Sequence, residues 1–242
     1  MDITEAVALV TGANRGLGRE FVTQLVERGA RKIYATTRQP GKAGLLEQLG
    51  APGQVEALVV DITDPAGVEA AAAAAADVNL LINNAGIATA TNLLTGDLGR
   101  IRAEMDTHFW GTLKMTRAFA PILGSNGGGA IMNVMSLLSF RSYPGNGAYA
   151  AAKAAEWQLT NSTRLELAGQ GTHVIGVHLS STDTDMMKGW DIPKNDPRVI
   201  ISEVLDALTK GSHEFLDADT QAVKDQLSLP PEAFYAGMGP FA

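Results

Sequence analysis

The stretch VALVTGANRGLGREF at residues 7–21 joins an apolar run to an amphipathic segment through a glycine-rich turn. The apolar run predicts a buried strand, and the periodicity that follows predicts a helix over residues 17–28. Gly12, Gly16 and Gly18 occupy the turn, where glycine permits unusual φ angles and close backbone approach. The N-terminus of the helix would present free N–H groups and a partial positive charge to a phosphate. A plain tight turn is the alternative, but the position between strand and helix favours a pyrophosphate-binding loop.

The same alternation of strand and helix recurs along the rest of the chain. Nearly continuous apolar runs, which are typical of strands covered on both faces, occur at residues 32–37, 55–60, 80–85, 130–136 and 173–179, with a further candidate at 213–218. Helical patterns lie between them at residues 41–49, 65–76, 98–123 and 149–167. We therefore predict an α/β fold in one domain over residues 1–242. Its core would be a doubly wound parallel sheet (Rossmann fold) of about seven strands, with helices on both faces.

The composition argues against several classes of protein. A net charge of -7 gives no general attraction to nucleic-acid or lipid phosphates, so we expect neither kind of partner. No apolar stretch is long enough to span a bilayer, and the opening residues MDITEAVALVTG lack the basic region of a signal peptide. The absence of cysteine excludes disulfides and thiolate catalysis. We expect a cytoplasmic protein without a metal site.

The end of the second predicted strand indicates which dinucleotide the glycine loop binds. An NAD site places a carboxylate there for the ribose 2′-hydroxyl. This strand instead ends ATTRQ, with Arg38 and no carboxylate. Arg38, together with Arg15 in the glycine loop, would form charge-assisted hydrogen bonds with a 2′-phosphate. Either arginine alone is equally consistent with a solvated side chain, but the two together predict NADP(H) as the cofactor.

A tyrosine and a lysine in the segment YAAAK are the candidate reactive pair. Tyrosine ordinarily ionises near pH 10, and a neighbouring ammonium lowers the pKa of the phenol. Because Tyr149 and Lys153 are four residues apart, they lie on the same face of the predicted helix. An isolated motif of this kind would more simply be a core tyrosine beside a solvated lysine. Here Ser136 ends a predicted strand, where sites in open α/β sheets gather, so we predict a catalytic role.

These motifs together resemble those of the short-chain dehydrogenase/reductase family in its compact form. TGANRGLG, DIT at residues 61–63, NNAG at residues 83–86, Ser136 and YAAAK occur in the family's order and at its spacing. The resemblance covers almost the whole chain. It implies that Tyr149 donates a proton to a substrate carbonyl oxygen, that Ser136 orients that oxygen, and that Lys153 binds the nicotinamide ribose and depresses the pKa of Tyr149.

Two positions depart from the family's pattern. His108 stands where the family usually has an asparagine that holds a relay water, and a histidine can also donate and accept hydrogen bonds. It is either a member of that relay or a helix-packing residue. Leu179 and Ser180 replace a usual Pro-Gly pair, so we expect a less constrained loop beside the nicotinamide. Thr184 still matches the family's threonine that meets the carboxamide.

The loop and the resemblance predict two sets of contacts. The expected cofactor contacts are Gly12, Asn14, Arg15, Gly16, Leu17, Gly18, Arg38, Asp61, Ile62, Asn84, Ala85, Gly86, Tyr149, Lys153, Leu179, Thr182 and Thr184. The expected walls of the substrate pocket are Leu137, Leu138, Tyr143, Met186, Met187 and Trp190, although each of these could be core instead. The segment at residues 186–199, with two prolines, is the best candidate for a mobile lid.

The predicted function is NADPH-dependent reduction of a neutral, hydrophobic ketone or aldehyde. An NADP-dependent alcohol dehydrogenase working oxidatively, an epimerase-like relative and a non-enzymatic NADPH sensor or scaffold remain alternatives. Family members pair their long fourth and fifth helices across subunits, and these segments carry additional apolar residues here: Phe109, Trp110, Met115, Phe119, Trp157 and Leu159. We therefore expect a homodimer or homotetramer, with a small-molecule carbonyl or alcohol as the substrate.

Overall fold

A seven-stranded parallel sheet forms the centre of the molecule, as seen in a computed structural model that describes residues 1–238. The strands are β1 (Val7–Val10), β2 (Lys32–Thr37), β3 (Val55–Val59), β4 (Leu80–Asn83), β5 (Ala130–Ser136), β6 (His173–Leu179) and β7 (Glu214–Leu216). Their spatial order is β3-β2-β1-β4-β5-β6-β7, and all pairings are parallel. The predicted doubly wound sheet is therefore confirmed, including its seventh strand.

Helices connect the strands across both faces of the sheet, and the last two helices follow β7. They are α1 (Gly16–Glu27), α2 (Ala43–Glu47), α3 (Pro65–Ala74), α4 (Leu98–Met105), α5 (Thr112–Ser125), α6 (Gly147–Leu167), α7 (Pro197–Thr209), α8 (Ala218–Lys224) and α9 (Pro231–Phe234). Aspartates at the N-caps fix several of the starts. Asp64, for example, accepts hydrogen bonds from the N–H groups of Ala66 and Gly67.

The long helix predicted over residues 98–123 is interrupted. A π-helical segment, Asp106–Gly111, separates α4 from α5 and contains His108. Such segments add one residue to a turn and often occur at functional sites. No proline or paired glycine marks the interruption in the sequence, so the apolar periodicity alone indicated one continuous helix.

Two apolar clusters cover the two faces of the sheet. Ala8 and Val10 of β1 belong to one cluster, while Val7 and Leu9 belong to the other. The first face is covered mainly by α1 and α7, and the second mainly by α3 and α5. Because alternate residues of a strand point to opposite faces, a strand buried on both sides must be apolar throughout. This explains the continuous hydrophobic runs seen in the sequence.

Three residues predicted as surplus apolar surface are in the interior. Met115 and Phe119 on α5 are fully buried in the second cluster, and Leu159 on α6 is also buried. Full burial of a large apolar side chain stabilises the fold by about 1.5–3 kcal/mol. These residues therefore serve the core, and only Trp110 of the predicted group is exposed, at 48%. Within residues 1–238, no helix has the length and apolar character that crossing a bilayer requires.

Candidate active site

A cleft of about 520 Å³ lies at the carboxyl ends of the central strands. The strand order reverses between β1 and β4, and crevices at such switch points are where open α/β sheets bind ligands. The cleft brings together most of the residues singled out in the sequence: Gly12, Asn14, Arg15, Gly16, Leu17, Gly18, Arg38, Asp61, Ile62, Asn84, Ala85, Gly86, His108, Tyr149, Lys153, Thr184 and Met186. Ser136, at the end of β5, adjoins it through Met135, which also lines the cleft.

The glycine loop is held tightly against the end of β4. Gly12 has φ +66°, and a Cβ there would lie 2.9 Å from the Cα of Ala85. A Cβ on Gly18 would lie against the Gly12 carbonyl oxygen and 2.5 Å from Asn84 Nδ2. The Asn84 amide donates to the Thr11 carbonyl at 2.9 Å. The missing side chains therefore make room for backbone contacts that shape a cradle for a phosphate group.

Three cations line the cleft in addition to Lys153. They are Arg15, Arg38 and Lys42, of which Lys42 was not identified from the sequence. Asp61 receives hydrogen bonds from the backbone and hydroxyl of Thr63 at 2.9 and 2.7 Å. Burial opposes the charge on Asp61, but these bonds and nearby Arg38 keep the pKa of the carboxyl below its usual value. Asp185 also lines the cleft and lies 3.7 Å from Arg15, so the three cations exceed the two carboxylates by one, which still fits a phosphate better than a bare ribose hydroxyl.

The reactive pair lies on the first turns of α6. Lys153 is buried, and its Nζ donates to the Val134 carbonyl at 2.9 Å and to Glu156 Oε2 at 2.7 Å. Its ammonium lies 5.8 Å from the ring centroid of Tyr149. Ser136 accepts a hydrogen bond from the Leu138 N–H at 3.1 Å, which orients its hydroxyl at the end of β5.

The balance of charge around Tyr149 differs from the expectation based on the sequence. Burial is the largest influence and raises the pKa of the phenol above its ordinary value, and Glu156 and Glu104 act in the same direction. Lys153 lowers the pKa as predicted, as does a hydrogen bond with Ser136, but they do not outweigh burial. The protonated phenol is therefore favoured, which is the form that donates a proton.

His108 occupies a buried acid–base cluster. Its Nε2 lies 2.8 Å from the Ile87 carbonyl and 3.3 Å from Glu104 Oε2. Its Nδ1 lies 3.8 Å from Glu156 Oε2, and its ring meets that of Tyr149 edge to face at 5.2 Å. Neither glutamate was identified from the sequence. Their positions four residues before His108 and three after Lys153 place them on shared helix faces, and that spacing was the available signal.

The segment that follows β6 is anchored by side chains instead of by a Pro-Gly pair. The Ser180 N–H donates to Asp217 Oδ2 at 2.6 Å, and Asn195 Nδ2 donates to the same oxygen at 3.0 Å. The sequence predicted a less constrained loop here, but the hydrogen bonds to Asp217 constrain it. Leu179 is buried in the first apolar cluster and Thr182 is buried beside Asn195, so neither side chain lines the cleft.

The six predicted pocket walls divide into two groups. Met186 lines the cleft, whereas Met187 and Trp190 belong to the same segment but do not line the cleft, and Trp190 is 53% exposed. Leu137, Leu138 and Tyr143 instead belong to a third apolar cluster with residues near the end of the chain, including Val223 and Phe234. Packing of α8 and α9 against the segment next to Ser136 was not predicted from the sequence.

Comparison with known proteins identifies the family. Residues 6–195 match the sequence profile of the short chain dehydrogenases, which is most of the chain. The chain belongs to the short-chain dehydrogenase family. The same comparison confirms the resemblance inferred from the motifs.

Three named proteins resemble this chain over most of its length. The 1-deoxy-11-beta-hydroxypentalenate dehydrogenase of Streptomyces avermitilis is 32% identical over 203 residues, covering 81% of this chain and 75% of that protein. A 3-oxoacyl-[acyl-carrier-protein] reductase of Vibrio cholerae is 35% identical over 197 residues, covering 78% of each. A short-chain dehydrogenase of Burkholderia cenocepacia, solved in complex with NADP, is 38% identical, with a TM-score of 0.90 and coverage of 99% and 100%.

Proposed function

We propose that this short-chain dehydrogenase is an NADPH-dependent carbonyl reductase. The observation that carries the proposal is that Tyr149 and Lys153 line the same cleft as the glycine loop. A protonated phenol thus faces the space that a dinucleotide of this family would occupy. The relatives named dehydrogenase or reductase, and the NADP complex of the Burkholderia protein, support the same assignment.

The residues around the cleft fit NADP(H). Gly12 and Gly18 leave room for a pyrophosphate at the start of α1, and Arg15, Arg38 and Lys42 would hold a 2′-phosphate. Asn84, Ala85 and Gly86 would line the cofactor beside β4, while Thr184 would approach the nicotinamide end. When bound, the reduced nicotinamide supplies a hydride.

The protein's part in the reaction is to place the carbonyl and provide a proton. Ser136 would hydrogen-bond the carbonyl oxygen and hold it near Tyr149. The Tyr149 hydroxyl would then transfer its proton to that oxygen as negative charge develops there. Lys153 stabilises the resulting phenolate electrostatically. The raised pKa of Tyr149 keeps the phenol protonated before the reaction, as a proton donor must be.

The proposed substrate class rests on Met186, which lines the cleft, and on Trp190, four residues further along the same segment. Met186 is 44% exposed and Trp190 53% exposed, and both lie in the segment after β6. Apolar and aromatic walls suit an uncharged substrate with an apolar body, and methionine adapts to irregular shapes. We therefore propose a hydrophobic ketone or aldehyde as the substrate.

The decisive experiment compares Tyr149→Phe with the wild type. NADPH consumption is followed against a panel of hydrophobic ketones and aldehydes, and NADPH binding is measured separately. We expect kcat to fall by about 10²- to 10⁴-fold, because a general acid is lost, while the Kd for NADPH is retained. Tyr34→Phe is a matched control, since it removes a phenol that bonds Lys32 and Asp77 outside the cleft.

Three outcomes would contradict the proposal. Near-normal turnover by Tyr149→Phe would remove the assigned acid. A kcat/KM with NADH that equals or exceeds that with NADPH would remove the cofactor preference. Tight NADPH binding without turnover on any carbonyl would instead favour a sensor.

A further inference from the structure

Four ionisable side chains form a buried cluster behind Tyr149. They are Glu104 from α4, His108 from the π-helical segment, and Lys153 and Glu156 from α6, each no more than 4% exposed. One ammonium cannot balance two carboxylates. With a neutral imidazole the cluster therefore carries one uncompensated negative charge, which is costly in a buried place. One additional proton makes the cluster neutral.

The hydrogen-bond geometry indicates where that proton resides. His108 Nε2 is 2.8 Å from the Ile87 carbonyl and 3.3 Å from Glu104 Oε2, and both oxygens are acceptors. The Ile87 N–H also lies near Nε2, but at the longer distance of 3.4 Å. We therefore assign a hydrogen to Nε2.

Nδ1 then faces an acceptor without a proton between them. It has no hydrogen-bond partner and lies 3.8 Å from Glu156 Oε2, a small side-chain rotation beyond hydrogen-bond distance. The other Glu156 oxygen accepts from Thr112 Oγ1 at 3.0 Å, so the carboxylate is held in place. A proton on this pair would remove the repulsion of two facing lone pairs and the excess charge together.

We propose that His108 Nδ1 and Glu156 hold a proton between them and that this pair replenishes Lys153 after each turnover. The inference rests on the proposed reductase function. Glu156 and His108 are positioning residues in this role, because their proton reaches Tyr149 through Lys153. The contact from Glu156 Oε2 to Lys153 Nζ, at 2.7 Å, is the link between them.

The proton balance closes over one cycle. Tyr149 loses a proton to the substrate oxygen, and Lys153 supplies the proton that restores the phenol. The proton of the His108–Glu156 pair then passes to Lys153 through Glu156 Oε2. A proton from water in the cleft, which His108 and Lys153 both line, then returns to the pair of His108 Nδ1 and Glu156. Every protein group returns to its starting state.

The first test needs neither cofactor nor activity. The chain has only four histidines, so their ring nitrogens can be resolved by NMR of protein labelled with ¹⁵N-histidine. We expect a protonated Nδ1 on His108 in the wild type at neutral pH. The signal should change in Glu156→Gln and persist in Glu166→Gln, a matched control at an exposed position of the same helix. An unprotonated Nδ1 in the wild type would overturn the inference, whatever the activity.

The second test separates proton supply from folding. In Glu156→Gln, a single turnover should proceed nearly as in the wild type, because Tyr149 begins protonated. Steady-state kcat should fall by about 10-fold or more, with a larger solvent isotope effect, since replenishment becomes limiting. Glu156→Asp should recover part of the rate. An equal loss in both phases, with a lower Tm and an unchanged isotope effect, would show a structural role only.

The two proposals fail in different ways. If the wild type reduces no carbonyl, the proposed function fails and the NMR result alone decides the proton's location. If the wild type is active and Glu156→Gln matches it in kcat and isotope effect, the replenishment role fails while the reductase remains.

Discussion

At the scale of single residues, Tyr149 has a defined consequence for pH dependence. Burial raises the pKa of the phenol above 10.0, and Lys153 only partly counteracts this. Reduction needs the phenol, so kcat/KM for carbonyl reduction should show no alkaline decline caused by Tyr149 below pH 10. Oxidation of an alcohol needs the phenolate and should still accelerate with pH over that range. A reductive profile that falls well below this value, in protein shown to stay folded, would contradict the assignment.

His178 provides a second test, on stability. Burial lowers its pKa from 6.5 to about 3, and its ring stacks on Phe140 at 4.5 Å. Between these two pH values the unfolded chain binds a proton that the folded protein does not. The free energy of unfolding should therefore fall as pH falls through this window, with a contribution of about 1.4 kcal/mol per pH unit.

Urea unfolding at several pH values measures this contribution. His178→Phe keeps an aromatic ring against Phe140 and should flatten the pH dependence between pH 4 and 6, values chosen to lie within about 3 to 6.5. His213→Gln, at an exposed histidine, is the control and should keep the wild-type slope. An unchanged slope in His178→Phe would show that other groups cause the acid sensitivity.

At the scale of elements, the junction of β1 and α1 depends on the absence of one side chain. A methyl group on Gly18 would press against the Gly12 carbonyl and Asn84. Gly18→Ala should therefore weaken NADPH binding by at least 10-fold and lower the Tm, although alanine is the better helix former by about 1 kcal/mol. Gly44→Ala in α2, where nothing lies within 4 Å, is the matched control and should keep affinity. Unchanged affinity in Gly18→Ala would show that the cradle is not where the cofactor binds.

The elements also show what sequence could predict. Strands β1, β4 and β5 are covered on both faces, so their apolar runs were unambiguous. The π-helical segment between α4 and α5 was not predicted, because its residues keep the apolar periodicity of a helix. Its effect on His108 depends on contacts with Ile87 and Glu156, which lie far away in sequence. Motif spacing located Tyr149 and Lys153, but the partner of Lys153 required the tertiary structure.

At the scale of the whole molecule, assembly remains a prediction. With Met115 and Phe119 buried, the exposed apolar side chains left on the long helices and their connection include Leu98, Trp110 and Leu165. We propose a homodimer or homotetramer that covers some of them, since exposed apolar surface marks association sites. Light scattering after size exclusion should give a multiple of 25.4 kDa, and Trp110→Gln should shift the equilibrium towards the monomer. A monomeric wild type at micromolar concentration would exclude the proposal.

The fastening of the segment after β6 has a consequence for how the molecule can be altered. Asp217 begins α8, yet its carboxylate holds the backbone of Ser180 and the amide of Asn195. The loop after β6 and the helix α8 are therefore held together by these hydrogen bonds, so a shift of one would displace the other. Selection for a new substrate range would therefore favour substitutions in the C-terminal segment after β7, although no described residue of that segment lines the cleft.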